Sequence, residues 1–313
     1  MNALIDPLKF KNPITTAKGE TRASVEWDQL KTLWFNTGSL CNITCVNCYI
    51  ESSPTADHFV YLKDSEVEGY LDEIDHLQLG KVEIGLTGGE PCMNPHFIKI
   101  CRRVLERGHT LLVLTNAMKP LMRPRVQQGL LALESEFPAQ MTFRVSLDHF
   151  TARGHDEERG PGSFDIALIG MNWLSRNGFN LNIAGRAMFS ENEASAREGY
   201  RKLITEQGWD IDAKDPAALI LFPEMDARID VPEITTECWG ILSVDPKTMM
   251  CAHSRMIVKR KGAEAPIVLS CTLLWDDPQF EMGKTLAESL TPVQLNHPHC
   301  AKFCVLGGAS CSA

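Results

Sequence analysis

Residues 65–90, SEVEGYLDEIDHLQLGKVEIGLTGGE, read as a helix that runs into a strand. Ser65 and Glu68 have capping-box spacing, Val67, Tyr70, Leu71, Ile74 and Leu77 share one apolar face, and Gly80 follows as a C-cap. The strand, 82–86, is short and apolar. The same alternation extends in both directions, with strands predicted at 32–35, 111–115, 141–147, 181–188 and 218–222. Asn94 and Pro95 start a second helix, with Phe97, Ile98, Cys101, Val104 and Leu105 inward and Gly108 at its end. Ser163 starts another, with Phe164, Ala167, Leu168, Met171 and Leu174 inward and Gly178 at its end. Repeated strand-helix alternation specifies a parallel sheet. Six strands are too few to close an eight-stranded barrel, so the expected fold class is α/β, a partial (β/α)6 TIM-like barrel with its mouth at the strand C-termini.

Beyond about residue 223 proline, cysteine and short β-like pieces at 256–259 and 267–269 replace the alternation. The expected division is therefore an N-terminal strap (1–30), the barrel (31–222) and a small cysteine-rich C-terminal domain (223–313) that needs cross-links other than a large core. The 313 residues are 44% hydrophobic and 23% charged, an ordinary globular composition. No apolar run approaches the about 20 residues that cross a bilayer. A cytoplasmic protein with no membrane partner is the expectation. A net charge of −9 argues against nucleic acid held by counterion release; peptides or small molecules fit better. Eleven cysteines in a reducing compartment point to metal ligation rather than disulfides.

Cys41-Asn-Ile-Thr-Cys45-Val-Asn-Cys48 follows directly on the first strand. Three thiolates at CxxxCxxC spacing can hold three corners of a cubane cluster and leave the fourth iron open to a small molecule. A zinc site completed by a distant ligand such as His58 is the alternative. At the end of the second strand, Gly88-Gly89-Glu90 offers glycines that let backbone approach a ligand and a carboxylate that can grip an ammonium group.

With both motifs in this order, the sequence resembles the radical S-adenosylmethionine (SAM) superfamily. The resemblance implies that Cys41, Cys45 and Cys48 hold a 4Fe-4S cluster, that SAM chelates its open iron, and that Glu90 contacts the SAM amino group. Asn47 stands where that superfamily often has an aromatic or bulky residue against the adenine, a role Tyr49 is expected to share. Ser146 and Asp148 look like a strand end found in peptide-modifying members, the first helping to hold SAM and the second facing the reaction cavity. Asn116 ends the third strand, and Arg186, on the fifth, could pair with the SAM carboxylate.

Cys238, Cys251, Cys271, Cys300, Cys304 and Cys311, with Gly307 and Gly308 before the last, resemble the SPASM or twitch extension that carries auxiliary 4Fe-4S clusters. The set is one cysteine short of the seven-cysteine SPASM pattern, and at least one auxiliary cluster is expected. His253, His297 and His299 are candidate ligands or hydrogen-bond donors beside it, and zinc is the alternative metal. Cys92 is a candidate hydrogen donor, and Cys101 reads as core. Glu224 and Asp226 are candidate bases after the sixth strand. The run Arg255, Lys259, Arg260, Lys261 reads as a solvated hairpin or a contact for a reductase.

The function this implies is reductive SAM cleavage, driven by a flavodoxin or ferredoxin, to a 5′-deoxyadenosyl radical that abstracts hydrogen from a peptide or small metabolite. An oxidation or bond-forming outcome assisted by the auxiliary cluster is expected. Redox-neutral epimerisation with a cysteine donor, and a non-catalytic iron-sulfur or zinc protein, are the alternatives.

Overall fold

The computed structural model describes residues 4–186, 192–222 and 228–307. The chain enters along a strap that ends in β1 (Ser24–Val25). Arg22 on the strap forms a buried ion pair with Glu233 at 2.5 Å, fixing it to the C-terminal half. Then β2 (Thr32–Asn36), α1 (Asp64–His76), β3 (Glu83–Thr87), α2 (Phe97–Glu106), β4 (Thr110–Thr115), α3 (Pro124–Glu136) and β5 (Met141–Ser146) follow in strict alternation. Two helices, α4 (Ala152–Arg159) and α5 (Ser163–Arg176), precede β6 (Asn180–Arg186), and α6 (Glu193–Gln207) precedes β7 (Leu219–Phe222). All six of these strands from β2 to β7 pair in parallel with their sequence neighbours.

Period-two alternation sorts each strand's side chains between two environments. Val113, Phe143, Val145 and Ile183 join the core under the helices. Leu114, Arg144, Ser146, Ala184 and Arg186 point the other way and line an internal cavity. The sheet is thus covered outside by apolar packing and carries Arg144, Ser146 and Arg186 on its inner face.

The C-terminal part supplies α7 (Cys238–Leu242), β8 (Ser254–Val258), β9 (Ile267–Leu269), α8 (Leu286–Ser289) and β10 (Val293–Gln294), the last pairing with β1. β8 pairs in parallel with β2, and β9 is antiparallel to β8, so one sheet runs β7-β6-β5-β4-β3-β2-β8-β9. The sheet therefore continues past residue 222, where the sequence suggested a domain boundary. Among the described residues no helix is long and apolar enough to cross a membrane.

The first helix begins one residue before Ser65, and Glu66, not Glu68, reaches back to the Lys63 N–H at 2.9 Å; Glu68 pairs instead with Arg103 at 2.5 Å. The basic run lies on the β8–β9 hairpin, with Lys261 exposed at its tip, but it is not solvated throughout. Arg255 is buried and donates to the carbonyls of Cys251, Ser254 and Ser289, while Lys259 pairs with Glu66 and Arg260 with Glu281, each at 2.5 Å.

Candidate functional site

Cys41, Cys45 and Cys48 leave the end of β2 on a loop and line one cavity of about 120 Å³ at the barrel mouth. Gly88, Gly89, Asn116, Ser146, Asp148, Arg186 and Tyr49 line the same cavity. Burial pushes the Cys41 thiol up to about 12, aided by the nearby Glu90 carboxylate. Cys45 is raised by burial, against the pull of Arg159. Hydrogen-bond donors already face the sulfurs: Ser52 N–H donates to Cys48 Sγ at 3.3 Å, and Asn116 Nδ2 lies 3.7 Å from Cys41 Sγ. Three thiols ringing a volume, with N–H donors behind them, fit a cluster whose irons each take a different cysteine.

The Gly88-Gly89-Glu90 turn also carries the cysteine loop. A Cβ on Gly89 would lie 2.1 Å from the Leu40 carbonyl oxygen, and one on Gly88 2.5 Å from Gly38 O. The glycines are needed because the backbone leading to Cys41 passes over them, with Gly89 N–H donating to Gly38 O at 2.8 Å and Glu90 N–H to Leu40 O at 3.1 Å. Glu90 is 2% exposed and sits behind the cavity wall. Its carboxylate accepts from Thr115 Oγ1 at 2.9 Å, Asn116 N–H at 2.9 Å and Cys92 N–H at 3.2 Å. These bonds fix the end of β4 and with it Asn116. Cys92 is buried beneath Glu90 in the core and lines neither this cavity nor the larger one beside it.

Helix α4, which the sequence reading missed, supplies the other wall. Glu158 accepts two hydrogen bonds from Asn47 Nδ2, at 2.8 and 2.9 Å, and its carbonyl accepts from Val46 N–H at 2.9 Å. Asn47 is thus a loop anchor. Arg159 Nε pairs with Asp148 at 2.5 Å, and Arg186 lies 3.4 Å from the same carboxylate while donating to Asn47 O at 3.0 Å. Burial alone would raise Asp148, but the two guanidiniums hold it below the usual carboxylate range.

A second cavity, of about 590 Å³, opens from the first and shares Asn47, Cys48, Tyr49, Leu114, Ser146 and Arg186 with it. Arg144, Arg228, Phe222, Phe303, Trp275 and His297 complete much of its wall. Burial drives the His297 imidazole down to about 4, so it is neutral at pH 7.

On the far side of Leu273, Leu274 and His299 lies a small apolar cavity lined by Cys251, Cys271, Cys300 and Cys304 together with Met249, Met250 and Phe280. Burial pushes Cys251 up to about 11 and raises Cys300 well above the ordinary thiol range. Four thiols with no carboxylate among them, in apolar surroundings, suit an iron-sulfur cluster. Among the described residues no three His, Cys, Asp or Glu side chains converge as ligands of a single metal ion. Cys238 does not join the four; its sulfur lies 3.4 Å from Thr235 N and Oγ1. His253 is buried away from the cavity, and His58 stacks on Trp275 rather than facing Cys41, Cys45 and Cys48. Glu224, Asp226 and Cys311 lie outside the described residues.

Residues 35–201 match the sequence model of the Radical SAM superfamily. Over 144 residues the chain is 30% identical to the AdoMet-dependent heme synthase of Methanosarcina barkeri, covering 46% of this chain and 38% of that protein. It is 31% identical over 139 residues to the mycofactocin maturase MftC of Mycobacterium tuberculosis, covering 44% and 33%. The matched stretch thus spans about a third of each relative's length. Streptococcus suis SuiB bound to precursor peptide SuiA superposes with a TM-score of 0.58 at 11% identity, over 82% of this chain and 62% of that one, a likeness of fold.

Proposed function

This chain belongs to the radical SAM superfamily, and from that premise we propose that it modifies a peptide by hydrogen abstraction, with an oxidation or bond-forming outcome assisted by an auxiliary 4Fe-4S cluster. The observation that carries this reading is the placement of one large cavity between two thiol-lined ones, sharing Cys48, Tyr49, Ser146 and Arg186 with the first and Leu273, Leu274 and His299 with the second. A substrate there would lie against both.

Cys41, Cys45 and Cys48 would hold the first cluster, and Cys251, Cys271, Cys300 and Cys304 the second. When bound, the first cluster and SAM supply the reductive cleavage that generates a 5′-deoxyadenosyl radical. The chain's own part is binding and shielding. Asn116, presented by the Glu90 bonds, and the Asp148–Arg186 pair would face SAM, with Arg186 and Ser146 serving both SAM and substrate. Apolar Leu114, Leu273, Phe222 and Phe303 would exclude water around the reacting carbon. A flavodoxin or ferredoxin would deliver the electron.

The peptide is favoured by the maturase relative and by the precursor peptide in the SuiB structure. A carboxylate-bearing small molecule is the second reading, favoured by three arginines in the cavity wall, Arg144, Arg186 and Arg228, and by the heme synthase relative. Anaerobic reconstitution with iron and sulfide tests the whole scheme. Wild type should bind about 8 irons and release 5′-deoxyadenosine with dithionite and SAM; the Cys41, Cys45 and Cys48 triple alanine variant should bind about 4 and release none. No iron-dependent cleavage in wild type would overturn it.

A further inference from the structure

We propose that Trp275 is a positioning residue that links the C-terminal thiol cavity to the SAM site, so that filling the former tightens the hold on SAM. The inference rests on the two-cluster reading above and adds a mechanical connection to it.

The six residues from Cys271 to Asp276 run from one site to the other. Cys271 lines the C-terminal thiol cavity, and its sulfur accepts from Leu273 N–H at 3.4 Å, so the loop's shape is tied to where that sulfur sits. Leu273 and Leu274 form the wall shared with the large cavity. Trp275 then donates its indole N–H to the carbonyl of Tyr49 at 2.5 Å, and Tyr49 directly follows Cys48.

The indole is itself firmly held. It stacks on His58 with ring centroids 4.7 Å apart and an interplanar angle of 24°, and meets Phe59 edge-on at 5.6 Å. Its own carbonyl accepts from Arg260 Nη2 at 2.9 Å, and Arg260 is fixed by Glu281. A clamped ring with one donor pointing at the turn after Cys48 can hold that turn in place. The turn is worth holding, because its Glu51 and Ser52 N–H groups fold back onto Cys48 O and Cys48 Sγ. A cluster on Cys271 would fix the sulfur, the sulfur the loop, and the loop the indole. By linkage, SAM binding would then also favour filling of the C-terminal site.

Trp275→Phe keeps the ring and removes the donor. It should leave iron content at the wild-type level, weaken SAM about three- to ten-fold, as expected for one hydrogen bond, and reduce the SAM-induced change in the electron paramagnetic resonance of the reduced first cluster. Cys271→Ser, which removes a ligand of the second site, should weaken SAM similarly, and the double variant no further. His58→Leu, which removes the stack and spares the donor, should shift SAM affinity in the same direction. In the protein without metal, amide exchange at residues 49–53 should accelerate in Trp275→Phe. Wild-type SAM affinity in both Trp275→Phe and His58→Leu, or additive losses in the Trp275 and Cys271 double variant, would overturn the link while leaving the two-cluster reading intact. A wild type whose cluster signal ignores SAM would overturn both.

Discussion

At Gly89 one methyl group decides whether the Cys41 loop can close, since its Cβ would lie 2.1 Å from backbone rather than from a side chain that could swing aside. Gly89→Ala should therefore cost about 2–4 kcal/mol, in the range of severe overpacking, measured as a lower urea midpoint in the metal-free protein. The motif was plain in the sequence, but its reason was not, because a one-dimensional reading cannot show that residues 38–40 cross over it. Glu90 carries the same lesson. Its type and position were legible, whereas its partners Thr115 and Asn116 come from another strand. Asn47, the residue out of place in the motif, finds its partner 111 positions away in Glu158. Glu158→Ala removes two hydrogen bonds to a carboxylate that anchors the loop. SAM affinity should fall about ten-fold, read by equilibrium binding to the reconstituted protein, with iron content retained. Unchanged affinity would assign the pair to loop folding alone.

Helix α4 is where the elements of the site and the elements visible in the sequence part company. The barrel strands β2 to β7 and the helices α1, α2 and α5 carry regular apolar faces and are legible to within a residue or two, the predicted strand residues 187 and 188 lying outside the described residues. α4 is short and polar, and α3 and α6 were not singled out either, their apolar residues being diluted by charge and glutamine. Yet α4 places Glu158 and Arg159 against the cysteine loop, and its own seating depends on His155. That imidazole is fully buried and accepts from Asp148 N–H at 3.2 Å through Nδ1. Burial, reinforced by Arg159, drives its pKa from 6.5 to about 4. The unfolded chain therefore takes up a proton below pH 6.5 that the folded one refuses until about pH 4. Its contribution is fully present above 6.5 and is lost as the pH falls toward 4, by up to about 3 kcal/mol at 1.36 kcal/mol per unit. His155→Asn keeps an acceptor for the Asp148 amide and cannot titrate. Urea midpoints followed from pH 7 to 4.5 should fall less steeply for this variant than for wild type, and parallel profiles would remove His155 from the account.

Across the whole molecule, one sheet continues from the barrel strands into β8 and β9 of the cysteine-rich part. β8 lies against β2 in register, Trp34 opposite Met256 and Phe35 opposite Ile257, and these side chains are completely buried. The sequence showed β8 as a short apolar piece without revealing its partner, because parallel pairing across more than 200 positions leaves no local signature. The strap adds a second connection, with β1 paired to β10 and Arg22 buried against Glu233. Removing everything after residue 222 would leave β2 as an open, apolar edge and strip the cover from Trp34, conditions that favour edge-to-edge association. A fragment ending at residue 222 should therefore be aggregated or molten, whereas the full chain without metal should unfold in one transition, coincident by far-ultraviolet circular dichroism and by tryptophan fluorescence. A soluble fragment with its own cooperative transition would restore the boundary that the composition change suggested. If the single transition holds, filling the C-terminal thiol cavity should raise the unfolding temperature of the barrel as well, because a ligand bound only by the folded state stabilises every element that unfolds with its site.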